Sequence, residues 1–303
     1  MDKFWDALGG KLAERWLSVA VPALVFWLGG LTVWAAGRGW FGALRRPLAA
    51  VATLPVGAQL LGVGALLLAV AASGWVVNQA VAPALRLAQG YGPLWRPWRD
   101  RLARRFARRF DALGTEFAAL APVIAGGGAS ADQRQRYTRI THEQRLLPGP
   151  GRFLPTRVGN ILRAAESHPV DRYGLDVVTV WPHLWLLLPE LVRAELVVAR
   201  AGVNAAAAAG LWGVLFAAFT PWSWWALPIG LGVAAACWFV WLPARAEGYS
   251  ALVQATVDLH RGELYAKLRW PVPENPADER LKGRRLSTYL ARGLSGTTPT
   301  FHP

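Results

Sequence analysis

Apolar positions in this chain are gathered into long unbroken runs. The first covers about residues 17–36, LSVAVPALVFWLGGLTVWAA, and the second about 58–81, AQLLGVGALLLAVAASGWVVNQAV. A third covers 201–219, AGVNAAAAAGLWGVLFAAF, and a fourth 222–242, WSWWALPIGLGVAAACWFVWL. None of the four holds a charged residue. Twenty residues rising about 1.5 Å each match a hydrocarbon core of roughly 30 Å, so each run predicts a transmembrane helix. Only Thr220 and Pro221 separate the last two, which predicts a tight helical hairpin. Trp222, Trp224 and Trp225 open the fourth run, and Trp238 and Trp241 close it, as an aromatic belt requires.

Between the hairpins the pattern changes period. In RLARRFARRFDALGTEFAAL the residues Leu102, Phe106, Phe110, Leu113, Phe117 and Leu120 recur every three or four positions and share one helix face. Arg101, Arg104, Arg105, Arg108 and Arg109 take the remaining surface. The helix is expected to end near Pro122, with AGGGAS (125–130) as a flexible connector. From Gln133 to Pro189 the frequent prolines predict a less regular segment. Within it VVTVWPHLWLLLPE (177–190) is too short to span and is expected at the membrane base or in a core. After the fourth run, AEGYSALVQATVDLHRGELYAKL predicts a continuing helix that WPVPENP stops. A short basic tail follows, and the last ten residues are expected to lack structure.

The fold class expected is therefore an all-α integral membrane protein, with four transmembrane helices in two hairpins and a helical, basic cytoplasmic body. The expected divisions are 1–83 with the first hairpin, 84–200 as a basic cytoplasmic region, 201–242 as the second hairpin, and 243–303 as a cytoplasmic helix and tail. The first apolar run is too long for a cleaved signal and is expected to stay in the membrane.

Charge orients this arrangement. Lys3, Lys11, Arg15, Arg86, Arg96, Arg99, Arg101, Arg193, Arg200, Arg245 and Arg261 flank the spans on one side. Only Arg38, Arg45 and Arg46 flank them on the other, and the positive-inside rule places both termini in the cytoplasm. Those three arginines predict an interfacial or re-entrant segment over 38–57. Composition agrees with a membrane setting: 53% hydrophobic, 17% charged, seventeen tryptophans, and thirty-three Lys and Arg against nineteen Asp and Glu. The single cysteine, Cys237, supports neither a disulfide framework nor a thiolate metal site.

The blocks LPTRVGN (154–160), DRYGLD (171–176), WPHLWLLLPE (181–190) and DLHRGELYAKLRWPVPENPADE (258–279) resemble segments of uncharacterised bacterial multi-pass membrane proteins. The resemblance covers the second half of the chain. It implies a bacterial inner-membrane setting and no particular activity.

Candidate chemistry is sparse. No Asp, Glu, His, Lys or Arg lies within a span, which argues against a proton-coupled transporter. Asn78 and Asn204 are the pore or helix-packing candidates, with helix–helix hydrogen bonding the preferred reading. His260, in H-x-x-E with Asp258 nearby, is a candidate buried site, though no second histidine completes a metal set. No catalytic residue, metal or cofactor is expected. Gly126–Gly128 lack the following Lys-Ser/Thr of a phosphate loop.

The strongest signal is the arginine stripe, eight arginines from Arg86 to Arg109 against one acid, Asp100. Arg96, Arg99, Arg101, Arg104, Arg105, Arg108 and Arg109 are expected to contact phosphates of anionic lipid. Lipid is preferred to nucleic acid, since no base-stacking platform accompanies the charge. The leading function is an oligomeric inner-membrane pore or channel-like protein gated by the basic region, acting as a homo-oligomer. A non-conducting scaffold or receptor recruiting a cytoplasmic protein partner is the alternative, and a membrane-bound enzyme ranks last.

Overall fold

A computed structural model describes residues 20–39 and 41–293. Among them every regular element is a helix. The helices are α1 (Ala20–Ala36), α2 (Phe41–Ala52), α3 (Val56–Ala88), α4 (Arg99–Ala125), α5 (Ala131–Arg145), α6 (Arg157–Tyr173), α7 (Val177–Leu187), α8 (Glu190–Phe216), α9 (Ala226–Ala236), α10 (Leu242–Lys267) and α11 (Pro276–Arg292). Five residues of π-helix, Cys237–Trp241, join α9 to α10, so one helical run of 42 residues extends from Ala226 to Lys267.

Three helical segments are long and apolar enough to cross a membrane: Val56–Trp95, Glu190–Phe219 and Ala226–Lys267. At about 1.5 Å per residue, each exceeds the roughly 30 Å of a hydrocarbon core. The described part of the first expected span, α1, is shorter, and residues 17–19 of that run lie outside the described residues. So do Lys3, Lys11 and Arg15, and the final ten residues.

The chain divides into two compact units, one of residues 1–85 and 204–242, the other of 86–203 and 243–303. In the first unit α3 presents an apolar outer surface. α3 buries only Val70, Gly74, Val77, Val81 and Leu85, a single stripe spaced by three and four. Leu61 is 77% exposed and Trp75 61%. A soluble protein rarely leaves such a contiguous apolar surface bare, whereas a lipid-facing helix requires one. Trp27 of α1 donates its indole N–H to the Ser73 hydroxyl of α3 at 3.1 Å. Phe26, Trp27 and Phe219 form a ring cluster with centroids 5.2 to 6.4 Å apart.

The second unit has two cores. The larger gathers Leu175, Val180, Leu184, Leu196, Val257 and Leu286 with Tyr265 and Trp270, from α6–α7, the start of α8, α10 and α11. The smaller gathers Leu113, Ile140 and Leu147 with four aromatic rings around them, Phe106, Phe110, Phe117 and Phe153.

One expectation is corrected here: residues 133–189 are mostly helical, as α5, α6 and α7. The basic tail folds as α11. Each helix is secured by a side-chain cap. Ser130 and Gln133 form a reciprocal capping box on α5, and Thr156 accepts from the Gly159 N–H on α6. Asp176 caps α7, and Asn275 accepts from Ala277 and Asp278 at the start of α11, with Pro276 in the first turn. A proline at that position costs nothing, because its missing N–H would have no intrahelical acceptor. Gly174, with φ of 72°, ends α6 in the left-handed conformation that glycine adopts without strain. The segment over 38–57 holds α2, with Pro47 inside it. α4 passes Pro122 and ends at Ala125.

Candidate functional site: the arginine face of α4

α4 is amphipathic, and α5 decides which side is which. The two helices pack as a hairpin in which Phe117 stacks on Tyr137 at 5.2 Å, and Phe153, from the loop after α5, lies 5.7 Å from Phe110. Burying Leu113 against Ile140 commits the apolar face of α4 to the protein body. The sequence pattern permitted that face to meet either membrane or protein, and it meets protein.

The arginines then have one direction left. At about 100° per residue, Arg101, Arg104, Arg105 and Arg108 fall within an arc of about 100° centred away from the seam. All four are exposed, as are Arg96 and Arg99, and among the described residues none of the six forms an ion pair. Arg109, at the edge of the arc, turns back to α5. Its guanidinium donates to the Glu143 carboxylate from Nη2 at 2.6 Å and from Nε at 3.1 Å. The structure thus places six of the seven predicted phosphate-contact arginines on an open surface and engages the seventh.

The hairpin carries more cations than the stripe alone. Arg134, Arg136, Arg139 and Arg145 of α5 are exposed, and Arg136 pairs with Glu116 of α4. A polar groove of about 500 Å³ runs between the helices, bordered by Arg109, Glu116, Arg136, Arg139 and Glu143. Its opposite charges are interleaved, so it offers no net anion cradle. The α5 contribution was legible in the capping signature Ser130-Ala-Asp-Gln133 followed by four arginines, which sequence reading left inside an irregular segment.

The remaining candidates are not brought together. Asn78 is exposed on α3 and Asn204 is half-buried on α8, with no hydrogen bond between them among the described residues. His260 is mostly covered, and its Nδ1 lies 2.9 Å from Oε1 of Glu263. Among the described residues no three His, Cys, Asp or Glu side chains converge as metal ligands would.

A second polar cluster is structural. Tyr173 donates its hydroxyl to Asp258 at 2.9 Å, Arg261 lies 4.1 Å over the Tyr173 ring, and Arg261 pairs with Glu279 at 2.8 Å. Burial, then the Asp258 hydrogen bond, raises the Tyr173 pKa. Each charge here has a partner, which fits a tie between α6, α10 and α11.

The helices define the class of protein: an all-α transmembrane protein with a basic, separately packed helical unit. No family model, curated protein or solved structure matches the chain.

Proposed function

We propose that this is a bacterial inner-membrane scaffold with four spans, both termini cytoplasmic, whose α4 face docks on anionic phospholipid headgroups. One observation carries the reading. The hairpin with α5 consumes the phenylalanine face of α4 and leaves Arg101, Arg104, Arg105 and Arg108 outward without acidic partners. Guanidinium forks suit phosphate oxygens, and each cation near an anionic surface contributes about 1 kcal/mol. The cytoplasmic placement rests on the eleven-to-three distribution of Lys and Arg at the span ends.

The test uses the full chain in proteoliposomes of neutral lipid with the arginine face outward, mixed with fluorescent anionic vesicles. Co-sedimentation is expected at low salt, should weaken as salt screens the charges, and should be absent with neutral vesicles. Replacing Arg101, Arg104, Arg105 and Arg108 together by Gln should abolish it. Equal capture of neutral and anionic vesicles, or an unaffected quadruple variant, would remove the lipid reading. Salt-sensitive binding of single-stranded oligonucleotide without vesicle capture would assign the face to nucleic acid.

Asn78 supports a second reading, an oligomeric pore. Its amide is exposed on a largely apolar helix, next to that of Gln79, and an amide in hydrocarbon seeks a partner or a water-filled lumen. Ion flux through reconstituted protein, changed by Asn78→Leu, would favour the pore; no flux in any oligomeric state would leave the scaffold.

A further inference from the structure

The first unit contains an apolar groove of about 510 Å³ between α1, α8 and α9. Its walls include the rings of Phe26, Trp212 and Phe216, with Phe26 centred 4.8 Å from Trp212 and 6.3 Å from Phe216. Glycines border it where helices meet. A Cβ on Gly213 would fall 2.7 Å from the Ala234 nitrogen, and one on Gly230 would fall 2.6 Å from the Gly213 carbonyl. A Cβ on Gly29 would fall 3.0 Å from the Phe216 ring. Close approach of the backbones therefore fixes α8 and α9 together, and bulky rings hold α1 off, leaving the hollow. Val21, Val25, Ile229 and Val233 stand at its mouth and are exposed, so it opens on the outer surface of the unit.

We propose that this groove binds one acyl chain of a membrane phospholipid. α8 and the run from α9 onward are long and apolar enough to span, so the mouth opens into hydrocarbon. Water is a poor occupant, because a water needs two or more polar partners and the lining side chains supply only the Trp212 indole. A headgroup is excluded by the same absence of polar groups. A void would forfeit the dispersion contacts of every ring around it. Methylene chain is the chemistry present at that depth, and a slot walled by rings fits it. The headgroup stays outside the groove, so binding should be indifferent to headgroup charge, unlike the face of α4.

The test uses the full chain in vesicles containing a phospholipid with a photoreactive diazirine on its acyl chain. After irradiation, labelled peptides are mapped. Label is expected several-fold enriched on 21–29, 209–216 and 229–233 over residues 60–68 of α3, whose side chains face outward as ordinary lipid-contact surface. Ala209→Phe, which fills the groove from its wall, should remove that enrichment and leave α3 labelling unchanged. Val233→Trp, at the exposed mouth, serves the same purpose should the first variant fail to fold. Equal labelling of the groove and α3, or enrichment that survives both substitutions, overturns the proposal. A changed oligomeric state in Val233→Trp without loss of label would assign the groove to a second copy of the chain.

Discussion

Arg109 and Glu143 meet at 2.6 Å across the seam of α4 and α5, and this ion pair marks where the open arginine face ends. Both side chains are partly exposed, so the pair contributes about 0 to 1 kcal/mol to stability. Arg109→Gln should shift the thermal midpoint slightly and leave capture of anionic vesicles nearly intact. Arg104→Gln and Arg105→Gln should do the reverse, lowering capture without moving the midpoint. Thermal unfolding and vesicle co-sedimentation on the same preparations separate the two effects.

How much of this was legible follows from what each signal depends on. The three- and four-residue spacing of Leu102 to Leu120 is local, so the face of α4 could be read from sequence. The partner of that face could not, because Arg109 and Glu143 are 34 residues apart and only the hairpin brings them together. Prolines misled the reading of 133–189, since a proline count takes no account of position. Pro148, Pro150 and Pro155 lie in the loop between α5 and α6 and Pro169 in the last turns of α6, where the ring costs less than in mid-helix, and α7 accommodates Pro182 within it. Ser130, Thr156, Asp176 and Asn275 were the countervailing signals, each a cap residue in plain view. The groove by α1 was beyond sequence reading, because it depends on how three helices approach.

Asn160 should be the most sensitive polar position in the second unit. It is fully buried in α6, and its side chain accepts from the Leu154 N–H at 2.7 Å. It also donates to the carbonyls of Leu154 and Thr156, both at 2.9 Å. Asn160→Ala strips three hydrogen bonds from buried or half-buried backbone at the start of α6. A loss of about 3 kcal/mol is expected, read from the denaturant midpoint of the purified chain.

Tyr265 should make the second unit sensitive to alkali. Its side chain is fully buried, and its hydroxyl finds no hydrogen-bond partner among the described residues. Burial, with a smaller push from the Glu279 carboxylate, raises its pKa well above the ordinary tyrosine value. In the unfolded chain the phenol ionises near pH 10, whereas in the folded chain it stays neutral. The stability it supports is therefore complete below pH 10 and is lost as pH rises beyond it. Tyr265→Phe should flatten that decline and, by removing an unpaired buried hydroxyl, should not destabilise at neutral pH. Thermal midpoints across pH 7 to about 11 in wild type and variant would decide, and a variant as alkali-sensitive as the wild type would count against the argument.

Two glycines two positions apart on one helical run should behave oppositely. A Cβ at Gly230 meets the α8 backbone at 2.6 Å, while one at Gly232 has nothing within 4 Å. Gly230→Val should separate α8 from α9 and lower the thermal midpoint in detergent. Gly232→Ala should be neutral or stabilising by up to about 1 kcal/mol, from improved helix propensity. Equal loss from both would show that the close crossing of α8 and α9 is not what these glycines secure.

The proposed topology makes its sharpest prediction at the N-terminus, because that end alone separates four spans from three. Reporters after Gly128 and after Arg292 should read cytoplasm, and one at Pro221 the far side. A cytoplasmic reading at Pro221 would overturn any arrangement in which α8 and the run from Ala226 both cross. The segment between α1 and α3, with Arg38, Arg45 and Arg46, reads the far side whether or not α1 crosses, since α3 crosses after it. A reporter at the N-terminus does not share that ambiguity. With α1 spanning, it reads cytoplasm, where Lys3, Lys11 and Arg15 satisfy the positive-inside rule. With α1 and α2 both lying at the far interface, it reads the far side and leaves all six of those cations in violation of that rule. Charge therefore favours the crossing, and Arg38→Glu combined with Arg45→Glu and Arg46→Glu should strengthen it, leaving the N-terminal reporter firmly cytoplasmic. A far-side N-terminus in the wild-type chain would reduce the protein to three spans.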